Sequence, residues 1–195
     1  MLTLSATGSA SGAFRLESDR LMLPVDQKEL LASKYQEGRA LQAEGQLHPA
    51  KALYEEVLAV FPQHIDALEM LAVVNGQLGQ LDTSVKLLCQ VIELNPSRDS
   101  ALYYLGYSMC ALKQFAAGVE CFDKALVLNP GHAQSMCDRA RALLELGQFE
   151  EALRGFDGAI GLRPRDAQAY SYRGDALLAL GRDDAVASFD QSTAI

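Results

Sequence analysis

Residues Ala133–Asp166 read AQSMCDRARALLELGQFEEALRGFDGAIGLRPRD. Met136, Ala140, Leu143 and Leu144 recur at i, i+4, i+7 and i+8, which gathers them on one face of a helix. Ala152, Phe156, Ala159 and Ile160 repeat that spacing in a second segment. Between the two lies Gly147, suited to the left-handed residue that ends a helix because it has no Cβ to clash. Pro164 lacks a backbone N–H and pushes Arg163 out of helical geometry, so the second helix stops near there. The stretch predicts a helical hairpin of 34 residues, and a lone hairpin cannot bury its apolar face.

Repetition solves that problem. Prolines fall at 62, 96, 130 and 164, a constant step of 34. Glycines fall on the same grid at 45, 79, 147 and 181, with Lys113 standing where the third unit should have one. Each hairpin then buries its neighbour, and an array needs no separate cores.

The totals narrow the function. Of the 195 residues, 49% are apolar and 22% charged, the composition of an ordinary globular chain. A net charge of −8 and a pI near 4.9 disfavour nucleic acid, whose phosphates need Lys and Arg, and disfavour an anionic membrane surface. No stretch approaches the roughly 18 apolar residues of a spanning helix, and no basic start followed by an apolar run marks a secretory signal. Cytoplasm is the expected compartment. Cys89, Cys110, Cys121 and Cys137 show no close pair of the zinc or redox kind and read as reduced packing residues.

In chain order, residues 1–25 read as a flexible leader, with Phe14–Leu23 a short helix or a docking strip within it. Asp26 and Glu29 form a capping-box pattern that opens a long first helix running to about Glu44. Five units follow over residues 26–195, at 31–64, 65–98, 99–132, 133–166 and 167–195. The fifth is one residue short between Gly181 and Ala185, which should tighten its turn without breaking the array. Ile195 falls within a second helix with no polar capping helix after it, so either the chain continues or something covers this end.

These residues resemble the tetratricopeptide repeat family, of bacterial style, over about Leu31 to Ile195. Small residues occupy one site of each first helix (Gly38, Ala72, Gly106, Ala140, Gly174) and one of each second (Ala50, Ser84, Gly118, Ala152, Ala185). Tyr54, Leu88, Phe122, Phe156 and Phe189 supply the bulk between them. The resemblance implies an all-α fold, a right-handed α-solenoid of five hairpins whose first helices line a concave, peptide-binding groove. Carried over residue by residue, it assigns to that groove Tyr35, Arg39, Val73, Tyr103, Tyr107, Cys137, Arg141 and Asp175, with Glu69, Glu145 and Leu178 among their neighbours. The clamp that holds chaperone C-termini in some members is missing: its places hold Tyr35, Arg39, Met70, Ser100 and Tyr104. An asparagine ladder is missing too, its row reading Gln36, Met70, Tyr104, Asp138 and Tyr172.

No catalytic constellation emerges, and neither a cofactor nor a metal is expected. His48, His64 and His132 fall at turns without a nucleophile beside them. The paired acids Glu55–Glu56, Glu150–Glu151 and Asp183–Asp184 read as solvated helix starts. Tyr103 and Tyr107 lie one turn apart and are favoured for binding over packing, with Tyr35, Arg39 and Arg141 completing an aromatic and cationic wall. Asp66, Glu69, Glu145 and Asp175 make the groove mixed in charge. The leading expectation is a non-enzymatic scaffold or adaptor for a protein or peptide partner. The alternatives are the substrate-recruiting front of a larger enzyme such as a glycosyltransferase, or a secretion chaperone. Val186 and Phe189, on the uncapped last helix, suggest self-association through that end.

Overall fold

A computed structural model describes residues 24–195; the expected leader, with Phe14–Leu23, falls outside the described residues up to position 23. Among the described residues ten helices follow one another: α1 (Val25–Ala43), α2 (Leu47–Val60), α3 (Ile65–Gln77), α4 (Leu81–Leu94), α5 (Asp99–Ala111), α6 (Phe115–Leu128), α7 (Ala133–Glu145), α8 (Phe149–Leu162), α9 (Ala167–Ala179) and α10 (Ala185–Ala194). No strand occurs among the described residues. The chain divides into two compact units, with the boundary between Ser97 and Arg98. The first holds hairpins α1–α2 and α3–α4; the second holds α5–α6, α7–α8 and α9–α10.

The turn grammar is uniform. Gly45, Gly79, Gly147 and Gly181 have φ between 67° and 77°, and Lys113 adopts the same left-handed backbone at 61°. At Gly147 the N–H reaches the carbonyl of Leu144 at 3.0 Å and that of Gln148 reaches Leu143 at 2.9 Å, the paired bonds of a Schellman turn. Lys113 and Gln114 make the same two bonds, to Cys110 and Met109, both at 2.9 Å. Each second helix but the last ends two residues before a proline, at Val60, Leu94, Leu128 and Leu162.

Several local expectations change. Asp26 and Glu29 make no capping box, because α1 starts two residues earlier, behind Pro24, whose carbonyl accepts the Lys28 N–H at 3.1 Å. His64 and His132 do more than occupy turns. Each stands before a first helix and accepts a backbone N–H through Nδ1, from Ala67 and Ser135 respectively, both at 3.2 Å. Glu55 and Glu56 lie in the middle of α2, not at its start, and pair with Lys51 and Lys34. The missing residue of the fifth unit delays its second helix, which begins four residues after Gly181 where α8 begins two after Gly147.

In the first unit, Tyr54 fills the space above Gly38 so closely that a Cβ there would lie 2.8 Å from its ring. The buried Tyr54 ring keeps its hydroxyl satisfied by donating to Gln42 Oε1 at 3.0 Å, and burial raises its pKa to about 12. Asn75, also buried, donates to the Leu71 carbonyl at 2.7 Å and accepts from Lys51 at 3.0 Å.

The second unit repeats the device. A Cβ on Gly106 would fall 2.8 Å from Phe122, and one on Gly174 would fall 2.6 Å from Phe189. Phe122 and Phe156 are fully buried, and truncating either to Ala should cost about 3–5 kcal/mol. Leu143, Ala152, Ala159 and Leu177 complete the core between the last two hairpins. On the outer side, Arg139 pairs with Asp123 at 2.5 Å and Glu151 at 2.7 Å. One step along, Arg173 pairs with Asp157 at 2.6 Å and donates to Ser188, also at 2.6 Å. These bonds run from α7 and α9 to the second helices and stitch consecutive hairpins.

Candidate functional site

Within the second unit the first helices form one layer, α5 against α7 and α7 against α9. Side chains one turn apart on this layer, and residues 34 apart in sequence, share a face. A buried carboxylate organises it. Asp138 is only 4% exposed, and an ionised group so placed needs partners from several sides. Its Oδ2 accepts the Tyr103 hydroxyl from α5 at 3.1 Å and the Gln134 amide at 3.1 Å. Its Oδ1 faces the Arg141 guanidinium at 3.2 Å.

Arg141 passes the thread on to α9. Its guanidinium carbon lies 5.9 Å from the centre of the Tyr172 ring. Burial opposes the positive charge of Arg141, but the neighbouring Tyr172 and the Asp138 charge more than offset this and raise its pKa. The Tyr172 hydroxyl accepts from Gln168 at 3.1 Å, and its ring stacks on Phe156 at 5.9 Å. One chain of polar contacts therefore links three hairpins.

This thread decides what the sequence candidates are free to do. Tyr103 has both ends engaged: its hydroxyl is on Asp138, and its ring touches Tyr104 at 5.2 Å, His132 at 5.1 Å and Phe122 at 6.0 Å. Burial, reinforced by the neighbouring Asp138 charge, pushes its phenol well above the ordinary range. Arg141 is likewise committed. Cys137 is 3% exposed and belongs to the core, out of reach of a partner, and burial raises its thiol to about 12. Tyr107, in contrast, is 49% exposed one turn beyond Tyr103. Asp175, at the matching place on α9, is exposed as well.

Two neighbours join them. Leu178, three residues beyond Asp175, is 65% exposed, and Glu145, one turn beyond Arg141, is exposed too. In the first unit Tyr35 stacks on His64 at 5.6 Å and leans on Tyr54, while Val73 is half-buried and Arg39 exposed. Gln42 of α1 and Gln77 of α3 join there at 3.2 Å. Sequence reasoning missed the part played by Asp138 and Tyr172. The available signal was an acid standing alone in a row otherwise built of Gln, Met and Tyr. Among the described residues no cluster of His, Cys, Asp and Glu suits a metal ion, and no helix is long and apolar enough to cross a membrane.

Sequence profiles described as tetratricopeptide repeat match residues 35–90, 100–132 and 137–192. The chain belongs to the tetratricopeptide repeat family. Solved tetratricopeptide repeat structures share its fold. It is similar to a crystal structure of MamA at 22% identity and a TM-score of 0.73, over 85% of this chain and 91% of that one. A MamA RS-1 ArsTM double mutant gives 17% identity and 0.74, over 84% and 92%. YrrB, described as a TPR protein with an unusual peptide-binding site, gives 18% and 0.67, over 82% of each chain. No curated protein matches the chain. The solenoid of tetratricopeptide hairpins expected from the 34-residue step is the fold observed.

Proposed function

We propose that this chain is a protein-interaction scaffold that holds a peptide segment of a partner on the inner layer of first helices. The observation that carries this reading is the state of that layer in the second unit. Tyr107 and Leu178 stay 49% and 65% exposed there, on the same layer as the Asp138–Arg141 pair. Each large side chain left in water forgoes roughly 1.5–3 kcal/mol of burial that a partner can supply. A surface kept apolar over a rigid, internally satisfied base suits a docking face. The description of YrrB as peptide-binding adds support by fold. On the same reading we assign the scaffold to the cytoplasm, in which cysteines held as thiols, such as these four, are the common form.

The test is site-specific photocrosslinking in cells. A photoreactive phenylalanine at position 107 or 178 should capture one discrete partner segment. The same residue at Val127 or Leu162, exposed on the second helices α6 and α8, should not. Capture at the second-helix positions alone would overturn the reading.

A further inference from the structure

The charge on this face identifies the chemistry of what it holds. Arg141 is the cation in the row of Tyr107 and Asp175, and it is spoken for: Asp138 lies 3.2 Å away and the Tyr172 ring lies 5.9 Å from its guanidinium carbon. An acidic ligand would have to draw Arg141 off a carboxylate that is 4% exposed, stranding that charge in the protein. What stands uncommitted is of the other sign. Glu145 and Asp175 are both exposed, one on α7 a turn past Arg141 and one on α9 at the place matching Arg141. Tyr107 and Leu178 flank them with exposed aromatic and aliphatic surface. A cation can be held by the two carboxylates and also lie over the open face of the Tyr107 phenol. The chain as a whole, at −8, attracts the same kind of ligand.

We propose that the segment docked here is a basic amphipathic one, in which Lys or Arg side chains meet Glu145 and Asp175 while an apolar side chain covers Tyr107 and Leu178. The proposal rests on the reading of this layer as the docking face and names its ligand class.

The experiment uses the full chain and two fluorescent synthetic peptides, one alternating lysine with leucine and the other alternating glutamate with leucine, read by anisotropy. The lysine peptide should bind and the glutamate peptide should not. Tyr107→Ala should weaken the lysine peptide by roughly tenfold or more. Glu145→Gln with Asp175→Asn should weaken it by about threefold to tenfold, and the loss should shrink as salt is raised. Glu120→Gln, an exposed acid on the second helix α6, should leave binding unchanged. If the glutamate peptide binds instead and Tyr107→Ala abolishes it, the face is correct and the basic ligand is refuted. If neither peptide binds, the basic ligand is likewise refuted. If the lysine peptide binds but Glu120→Gln weakens it as much as the inner-layer variants do, net charge alone is at work and both readings fall.

Discussion

Lys113 offers the sharpest test of how this array is built. It holds φ at 61° where the other four hairpins place glycine. Its two turn bonds match those at Gly147 to within 0.1 Å, so the backbone does the same task with the wrong residue. The side chain is exposed, and no packing is lost by removing it. A left-handed residue with a Cβ is unfavourable by roughly 1–2 kcal/mol. Glycine relieves that but brings extra freedom to the unfolded chain, worth about 0.5–1 kcal/mol against folding. Lys113→Gly should therefore stabilise by about 0.5–1 kcal/mol, equivalent to a rise in Tm of about 1–4 °C for a chain of this size. The mirror experiment is Gly79→Ala, at φ 75° with nothing within 4 Å of the added Cβ, which should lower stability by strain alone. Urea unfolding followed by circular dichroism measures both. A loss of stability in Lys113→Gly, or a gain in Gly79→Ala, would refute the reasoning.

Three other outcomes follow from packing and titration. Gly106→Ala places a Cβ 2.8 Å from the Phe122 ring and 3.1 Å from the Gly118 carbonyl, and should destabilise by about 1–3 kcal/mol in the same urea assay. Burial raises the Cys110 thiol to about 11 and the Cys137 thiol to about 12, whereas Cys89 is exposed. At pH 8 a thiol reagent should modify Cys89 quickly and the other three only on unfolding. The Tyr54 and Tyr103 phenols both titrate higher in the fold than the ordinary 10.0, first because of burial. Their stabilising effect is complete below pH 10 and is lost as pH climbs toward 12, so Tm should fall over that window with a lag in phenolate absorbance.

The fold was legible because its determinants are periodic. Pro62, Pro96, Pro130 and Pro164 mark the helix ends, and pairs such as Gly106 with Phe122 mark the crossings. Each is a local steric rule repeated at one spacing, and repetition makes it visible. Departures came where one residue changed the local geometry: Pro24 displaced the cap expected at Asp26, and the deletion after Gly181 delayed α10. The candidate site was legible only as a layer. Position on the helix gives Tyr103, Tyr107, Cys137 and Arg141 their register on the first helices, but position does not tell which side chains are already bonded or, as with Cys137, buried in the core. That depends on Asp138, whose partners come from α5 and from its own helix. The contact from Tyr103 spans 35 residues and leaves no trace in local periodicity.

The central claim is that the inner layer of the second unit is where a partner segment docks. Amide shift mapping by NMR, on titration of the isotope-labelled chain with the lysine–leucine peptide, tests it most directly. The account predicts that the largest shifts cluster on α5, α7 and α9, around Tyr107, Glu145, Asp175 and Leu178. Shifts concentrated on α6 and α8, around Val127 and Leu162, would contradict it.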